Sequence, residues 1–337
     1  MARGRVTLLD VAERAGVSRS TASFVLTGRS RELRISADAR ERVLQAAVEL
    51  NYRPNLAARA LRTKTTRTIG LISDNIATEQ YAGAFIRGIA AATLKHDHLL
   101  VIGETAGNAE VEVRLVAGML DRQVDGLIYG TMFTRRVRLP DGCGQHPLVL
   151  LNCVAARPPV AAVVPDEYHA GRTAARALVD AGHRRGIHLV GERPRQLFAA
   201  RERSRGIKDE LAEAGLRLAG GVPCAWSPGS AYEAVAELLA GGRRPSAFVC
   251  LNDRIAMGVY QAVQQAGLAI PADVSVVSFD DSELAGWLRP QLASVALPHY
   301  EMGFLAAELL VTRELEPVRH QVPMPLRSRP SVAAPGG

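Results

Sequence analysis

Between Thr68 and Phe279 the chain repeats short apolar runs of strand length at a steady interval: Thr68–Ser73, Leu99–Gly103, Gly126–Tyr129, Leu148–Asn152, Ala161–Val164, Gly186–Val190, Val222–Ala225, Ala247–Leu251 and Val274–Phe279. Helical periods, such as Leu197–Ala214 and Ile255–Ala266, lie between most of them. This alternation predicts an α/β fold with parallel sheets covered on both faces, because a strand can return parallel to its neighbour only through a crossover segment. Nine strands over about 200 residues overfill one small sheet, so two similar lobes are expected. Ligands of such folds sit at the carboxyl ends of the strands, here in a cleft between the lobes.

Ahead of the alternation, Thr7 to Leu26 reads as two short helices around a tight turn. Leu8, Val11, Ala12 and Ala15 share one face of the first, and so short a segment can bury them only against a neighbouring helix. Gly16 supplies the permissive backbone for the turn, Val17 plugs the corner and Ser18 is the N-cap of the second helix, whose inward face is Ala22, Val25 and Leu26. Arg19, Ser20, Ser23 and Phe24 are left facing outward, near the part of a recognition helix that meets base edges in the major groove. A plain helical hairpin shares the apolar pattern, but the basic arm of Arg3 and Arg5 ahead of it favours DNA. After a loop from Thr27 to Ile35, Ser36 caps a third helix in which Val43, Leu44, Ala47 and Leu50 repeat on one face and close a three-helix head. Asn51, Tyr52, Arg53 and Pro54 end it, and Asn55 caps a two-turn segment, Leu56 to Arg62, that is too short to be stable alone in water.

Charge is divided in the same way. Residues 1 to 67 hold 14 Arg or Lys against 6 Asp or Glu, a net +8, and the remainder holds 27 against 28. A basic head on a neutral body places nucleic-acid contact in the head. The location of the charge carries this argument, since 38 of the 41 basic residues are Arg and such skew commonly reflects coding bias. With 47% hydrophobic and 22% charged residues, the chain has the composition of a globular protein able to bury a full core. Cys143, Cys153, Cys224 and Cys250 form no C-x-x-C pair, so packing thiols are expected and neither zinc nor a redox motif. There is no membrane-length apolar run and no apolar signal region, which points to a cytoplasmic protein without membrane contact.

Enzyme motifs are not found. No G-x-G-x-x-G follows the first body strand, and neither a phosphate-binding G-x-x-x-x-G-K-[ST] nor a G-x-S-x-G nucleophile elbow occurs. His96 and His98 are the only near pair of histidines and fit a polar surface turn better than a metal site. Asp280 and Asp281 follow an apolar strand and could act as acid and base, but with no nucleophile or metal partner beside them they fit better as acceptors for ligand hydroxyls. The expectation is a non-enzyme with no cofactor and no metal.

The helix-turn-helix, the step Asn51-Tyr52-Arg53-Pro54-Asn55 and the later Ser-Val-Val-Ser-Phe-Asp-Asp strand together resemble the lactose-repressor/galactose-repressor (LacI/GalR) family, over nearly the whole chain. The resemblance implies a dimeric bacterial transcription factor, usually a repressor. Residues 1–53 would form the DNA-binding head and 54–67 the hinge helix and linker. Residues 68–337 would form a two-lobed body like a periplasmic sugar-binding protein, with an N-lobe of about 68–163 and 296–325 and a C-lobe of about 164–295 and 326–337. By position Arg19, Ser20 and Phe24 match the family's base-reading residues. Phe24 departs from relatives with Arg or His there: it offers apolar contact, for instance to a thymine methyl, or packs on the hinge or loop. Thr7, Ser18, Thr21 and Ser23 suit phosphate contacts. Asn55, Ala58 and Leu61 match the minor-groove hinge; Leu61 either wedges a base step open, with the bend repaid by further contacts, or packs on Ala57 and Ala58 of its own helix.

For the effector, the resemblance carries over Arg203, Asn252, Asp253, Asp280 and the aromatic Trp226, with Tyr81 and Asn152 completing the pocket. Arginine donors, carboxylate acceptors and a flat indole suit a sugar, whose hydroxyl edge needs pairing and whose apolar face needs stacking. The lesser alternative for Trp226 is a place in the core, since tryptophan is often buried for packing alone. The reading is therefore a homodimeric repressor that binds a near-palindromic double-stranded operator with an affinity controlled by a small carbohydrate in the interlobe cleft; in the commoner logic of the family the effector releases DNA, and in some relatives it enforces binding. A corepressor-dependent regulator answering to a purine or nucleoside is the alternative. The chain's last residues lack the leucine-heptad tail that makes some relatives tetramers, so a dimer is expected.

Overall fold

The computed structural model describes residues 6–53, 65–77, 81–155, 157, 159–191 and 197–335. They fall into two compact units, a head up to Thr66 and a body from Arg67 onward.

The head is three helices, α1 (Leu8–Ala15), α2 (Arg19–Leu26) and α3 (Ala37–Glu49). Each begins on a side-chain cap. Thr7 and Asp10 form a reciprocal capping box on α1, Ser18 accepts from the Thr21 amide on α2, and Ser36 accepts from the Ala39 amide on α3. Gly16 ends α1 at φ 63°, in the left-handed region where a side chain would be strained. Val11, Ala12, Ala15, Ala22, Val25, Val43 and Ala46 form the core, with Leu8, Val17, Leu26 and Leu50 packed around it. On α3 the expected inward face shifts: Leu44 is exposed and Ala46 takes its place. The inward face repeats at Val43, Ala46, Ala47 and Leu50, the i, i+3, i+4, i+7 spacing of a helix, and Leu44 falls beside it.

The body contains two six-stranded sheets. The first is built from β1 (Thr68–Ser73), β2 (Leu99–Glu104), β3 (Gly126–Val137), β4 (Leu148–Ala155), β5 (Ala161–Pro165) and β11 (Arg319–Val322), in the order β11-β5-β4-β3-β1-β2. The second is built from β6 (Ile187–Val190), β7 (Gly220–Val222), β8 (Ala247–Cys250), β9 (Ser275–Asp280), β10 (Ala293–Ala296) and β12 (Leu326–Arg327), in the order β12-β10-β9-β8-β6-β7. All pairings are parallel except that of β10 with β12, where Val295 faces Leu326 on an antiparallel edge. Three strands are additional to the nine read from sequence. β10 carries Ser294 in four residues, β11 is a polar edge strand reading Arg-His-Gln-Val, and β12 is two residues long.

Helices α4 (Ala82–Lys95), α5 (Ala109–Asp121) and α11 (His299–Thr312) pack on the first sheet. Strand alternation divides its side chains: Ile69, Leu71, Phe85, Ile128, Val149 and Met302 meet on one face, and Ile72, Val116, Met119, Leu127 and Leu150 on the other. The second sheet is enclosed by α6 (Glu167–Asp180), α7 (Phe198–Glu213), α8 (Pro228–Ala240), α9 (Asp253–Gln265) and the short α10 (Glu283–Trp287) around Phe248, Val249, Tyr260 and Phe279. The chain passes between the sheets three times, after β5, after β10 and after β11. None of the four cysteines is in a disulfide, and burial pushes the Cys143 thiol up to about 11 and Cys153 up to about 12, so both are inert packing groups at neutral pH. No described helix is long and apolar enough to cross a membrane.

Candidate functional site

On the head, Arg19 and Ser20 are exposed at the start of α2, one turn before the half-buried Phe24. The hydroxyls of Ser18 and Thr21 lie 2.8 Å apart, and that of Thr7 donates to Asp10 at 2.8 Å, so these expected phosphate contacts are held in position by capping. Ser23 is half-buried on the same helix, and its carbonyl accepts from the Thr27 hydroxyl at 2.8 Å. The ring of Phe24 faces a basic residue, with the Arg29 guanidinium 5.7 Å from its centroid. The arm residues Arg3 and Arg5 and the hinge residues Asn55, Ala58 and Leu61 lie outside the described residues.

In the body, the carboxyl ends of the strands bring together a buried charged cluster. Helices α6 and α7 cross at Gly171 and Gly206, where an added Cβ would stand 2.1 Å from the Arg203 carbonyl oxygen and 2.0 Å from that of Tyr168. Only glycine permits this approach, and it places Glu167 and Arg203 in contact. Arg203 donates through Nε to Glu167 at 2.5 Å and through Nη2 at 3.1 Å, both side chains being 2% exposed. Its Nη1 donates to the Leu251 carbonyl at 2.5 Å and reaches Asp280 at 3.4 Å, and its guanidinium lies 4.6 Å from the Phe279 ring centroid. Burial lowers the pKa of Arg203 and its carboxylate neighbours more than offset this, so it stays charged.

Asp280 ends β9 with φ 102°, a conformation unfavourable to any residue but glycine, and Asp281 follows at φ 50°. Burial pushes Asp280 up to about 8, opposed by Arg203 and reinforced by Asp253 and Glu167. Its second oxygen accepts from the Tyr81 hydroxyl at 3.4 Å, and this hydrogen bond joins the two lobes. Tyr81 in turn stacks on His299, with centroids 4.8 Å apart, and burial pulls His299 down to about 4. Tyr81, Asp280 and His299, with Arg87, Glu301 and Arg327 farther out, line an interlobe cavity of about 1010 Å³, ample for a mono- or disaccharide.

The remaining expected effector residues are placed differently. Asn152 has φ 58°, and its amide donates to the carbonyls of Thr131 and Met132 while its oxygen accepts from Thr134 at 2.6 Å. These bonds fasten the irregularity where β3 slips register against β4 between Gly130 and Arg135. Asp253 is fully buried, with one oxygen accepting from the Ser282 amide and hydroxyl and the other from the Ser294 hydroxyl, all at 2.8 Å. Asn252 caps α9 by accepting from the Ile255 amide at 2.8 Å. Trp226 is half-buried against the second core, with its indole nitrogen enclosed and unpartnered among the described residues. None of these four lines the cavity.

Glu167 and His299 were not found by reading the sequence. Glu167 passes for an ordinary first-turn acid on α6, and only the helix crossing reveals its partner. His96 and His98 pair with separate carboxylates, Glu308 at 3.1 Å and Asp125 at 3.5 Å, and no group of metal-ligating side chains occurs among the described residues.

Both parts of the chain match known families. The family described as bacterial regulatory proteins, lacI family, matches residues 7–55, and the periplasmic binding protein-like domain matches residues 175–332. The ribose operon repressor of Haemophilus influenzae is 33% identical over 317 residues, covering 92% of each chain. The HTH-type transcriptional repressor PurR of Vibrio vulnificus is 30% identical over 316 residues, covering 91% of each. Among solved structures, the Lac repressor dimer bound to operator and the anti-inducer ONPF superposes with TM-score 0.77 at 26% identity, covering 98% of this chain and 100% of that one. The complex of the transcriptional regulator CelR with cellobiose gives TM-score 0.63 at 28% identity, with 97% and 100% covered. The chain belongs to the LacI family of DNA-binding bacterial transcriptional regulators.

Proposed function

We propose that the chain is a homodimeric repressor whose two heads read the halves of a near-palindromic operator, and that a neutral, hydroxyl-rich ligand, a sugar, enters between the lobes and releases DNA. The observation that carries this reading is the chain of contacts from Tyr81 through Asp280 and Arg203 to Glu167 beside the interlobe cavity. One guanidinium there faces the carboxyl groups of both Glu167 and Asp280, so carboxyl oxygens outnumber the donors and suit ligand hydroxyls, which donate. A ligand that takes up Asp280 replaces the Tyr81 link and changes how the lobes meet. Differential affinity for the two lobe arrangements is what effector control requires. Tyr81, Arg203 and Asp280 are the contacts proposed to act first, with Asn252 and Trp226 joining as the lobes move.

A ribose operon repressor and a cellobiose-bound regulator among the similar proteins support a sugar. The similarity to PurR favours, as a second reading, a purine corepressor stacked on Tyr81. The homodimer is supported by the free edge of the first sheet, where Leu99 and Ile102 of β2, Leu94 of α4 and Val113 of α5 are exposed apolar side chains. On the same reading, Leu61→Ala weakens operator binding and leaves unfolding of the body unchanged.

The test is thermal unfolding of the full chain against pentoses, hexoses, disaccharides, nucleosides and purines, with operator titration in the presence of each ligand that stabilises. A sugar at about 100 times its Kd adds roughly 2.7 kcal/mol of stability. Stabilisation by a sugar together with weakened operator binding is expected. Stabilisation by purines alone, with tightened operator binding, overturns the sugar reading in favour of a corepressor.

A further inference from the structure

The recognition helix presents an aromatic ring, Phe24, on its outward face, and a ring has no donor for a base edge. The residues that follow supply one. The chain leaves α2 through a turn in which the Arg29 amide donates to the Phe24 carbonyl at 2.9 Å, and this fold-back sets the Arg29 guanidinium 5.7 Å from the Phe24 ring centroid. Its orientation is held from one side, with Nε donating to Glu32 at 2.9 Å and Nη2 donating to the other Glu32 oxygen at 2.7 Å. A guanidinium carries five N–H groups in a planar fork, and Glu32 occupies two of them. Nη1 and the second Nη2 hydrogen, which form the end-on edge, keep the geometry that pairs with the O6 and N7 acceptors of guanine. The side chain is 44% exposed, so the head does not enclose it.

We propose that Arg29 is a base-reading residue, braced by Glu32 and seated against Phe24, and that it supplies from the loop after α2 the guanine contact that Phe24 cannot make. The brace removes rotamer freedom before binding, and the ring beneath sets the height of the fork. Phe24 is then a platform as well as an apolar surface. The expected signature is a guanine preference at one position in each half-site, lost when the fork is lost even if the positive charge remains.

Selection of full-length protein on a randomised double-stranded DNA library, followed by sequencing, reads base preference directly, whatever the operator sequence is. Wild type, Arg29→Lys and Arg29→Ala are compared, with thermal unfolding of each as a check on the exposed substitutions. A bidentate arginine to guanine discriminates by about 1–3 kcal/mol, which is roughly 5- to 150-fold. Both variants are expected to lose a preference of at least about fivefold at one symmetric pair of positions and keep the others. Unchanged preferences in Arg29→Lys, with Arg29→Ala showing only uniform weakening, mean a phosphate contact and overturn the proposal. No enriched site for the wild type overturns it together with the operator reading.

Discussion

At the scale of single residues, the cluster separates into side chains bonded wholly within the protein and side chains that line the cavity. Asp253 belongs to the first group. Asp253→Ala strands the Ser282 amide and the Ser282 and Ser294 hydroxyls in the interior, at a cost of about 3 kcal/mol or more in urea unfolding. Asp280 belongs to the second. Folded, it holds its proton up to about pH 8; unfolded, it releases it near the usual 3.8. The folded state therefore binds more protons between these values, and the stability Asp280 contributes is complete below about pH 4 and lost as pH rises through 8. Asp280→Asn abolishes this slope. The Tm of the variant relative to wild type should rise between pH 5 and pH 9, and a constant difference would show that Asp280 is ionised throughout. Sequence identified the residue types here but not their roles. An aspartate opening a helix beside an Asn cap reads the same whether its carboxylate turns inward to serines or outward to a ligand.

At the scale of elements, the closest approach of α6 and α7 decides whether the site exists at all. Gly171→Ala places a Cβ against the Arg203 backbone, so the helices must separate, and the bonds from Glu167 to Arg203 lengthen with them. Overpacking of this kind costs about 3 kcal/mol, and here it should also abolish ligand-induced stabilisation. An exposed control, Gly229→Ala, has no atom within 4 Å of the added Cβ and should leave ligand response intact. Loss of stability with ligand response retained would mean that the pair forms independently of the crossing. The major strands were legible because they are apolar runs bounded by turns. The late strands were not: β11 draws its placement from pairing with β5, and its own residues are polar. Glycines on α6 and α7 read as weak points in a helix until the neighbour that requires them is present.

At the scale of the whole molecule, the division of charge read from composition sets the salt response. A head carrying the excess basic residues should lose about a thousandfold or more in operator affinity between 50 and 200 mM salt if six or more phosphates are contacted. Ligand affinity in the near-neutral body should change little over the same range, measured by calorimetry. The acceptor-rich cleft also predicts that a phosphorylated sugar stabilises the protein less than its neutral parent, since Arg203, the one buried guanidinium among the described residues, is already bonded to Glu167.

The three passages of the chain between the sheets bear on how the protein is made. β11 and α11, which complete the first sheet and cover it beside α4, come from residues 299–322, and the second sheet is sealed by Ser331 and Ala333 bonding to Val276, Ala293 and Ser275. A ribosome that has delivered β1 through β5 has made most of a lobe and cannot finish it. Neither lobe acquires its last elements until the ribosome has passed α11. The nascent body therefore spends most of its synthesis with unfinished sheet edges, and an early stop or a stalled ribosome leaves two incomplete lobes and not one whole one.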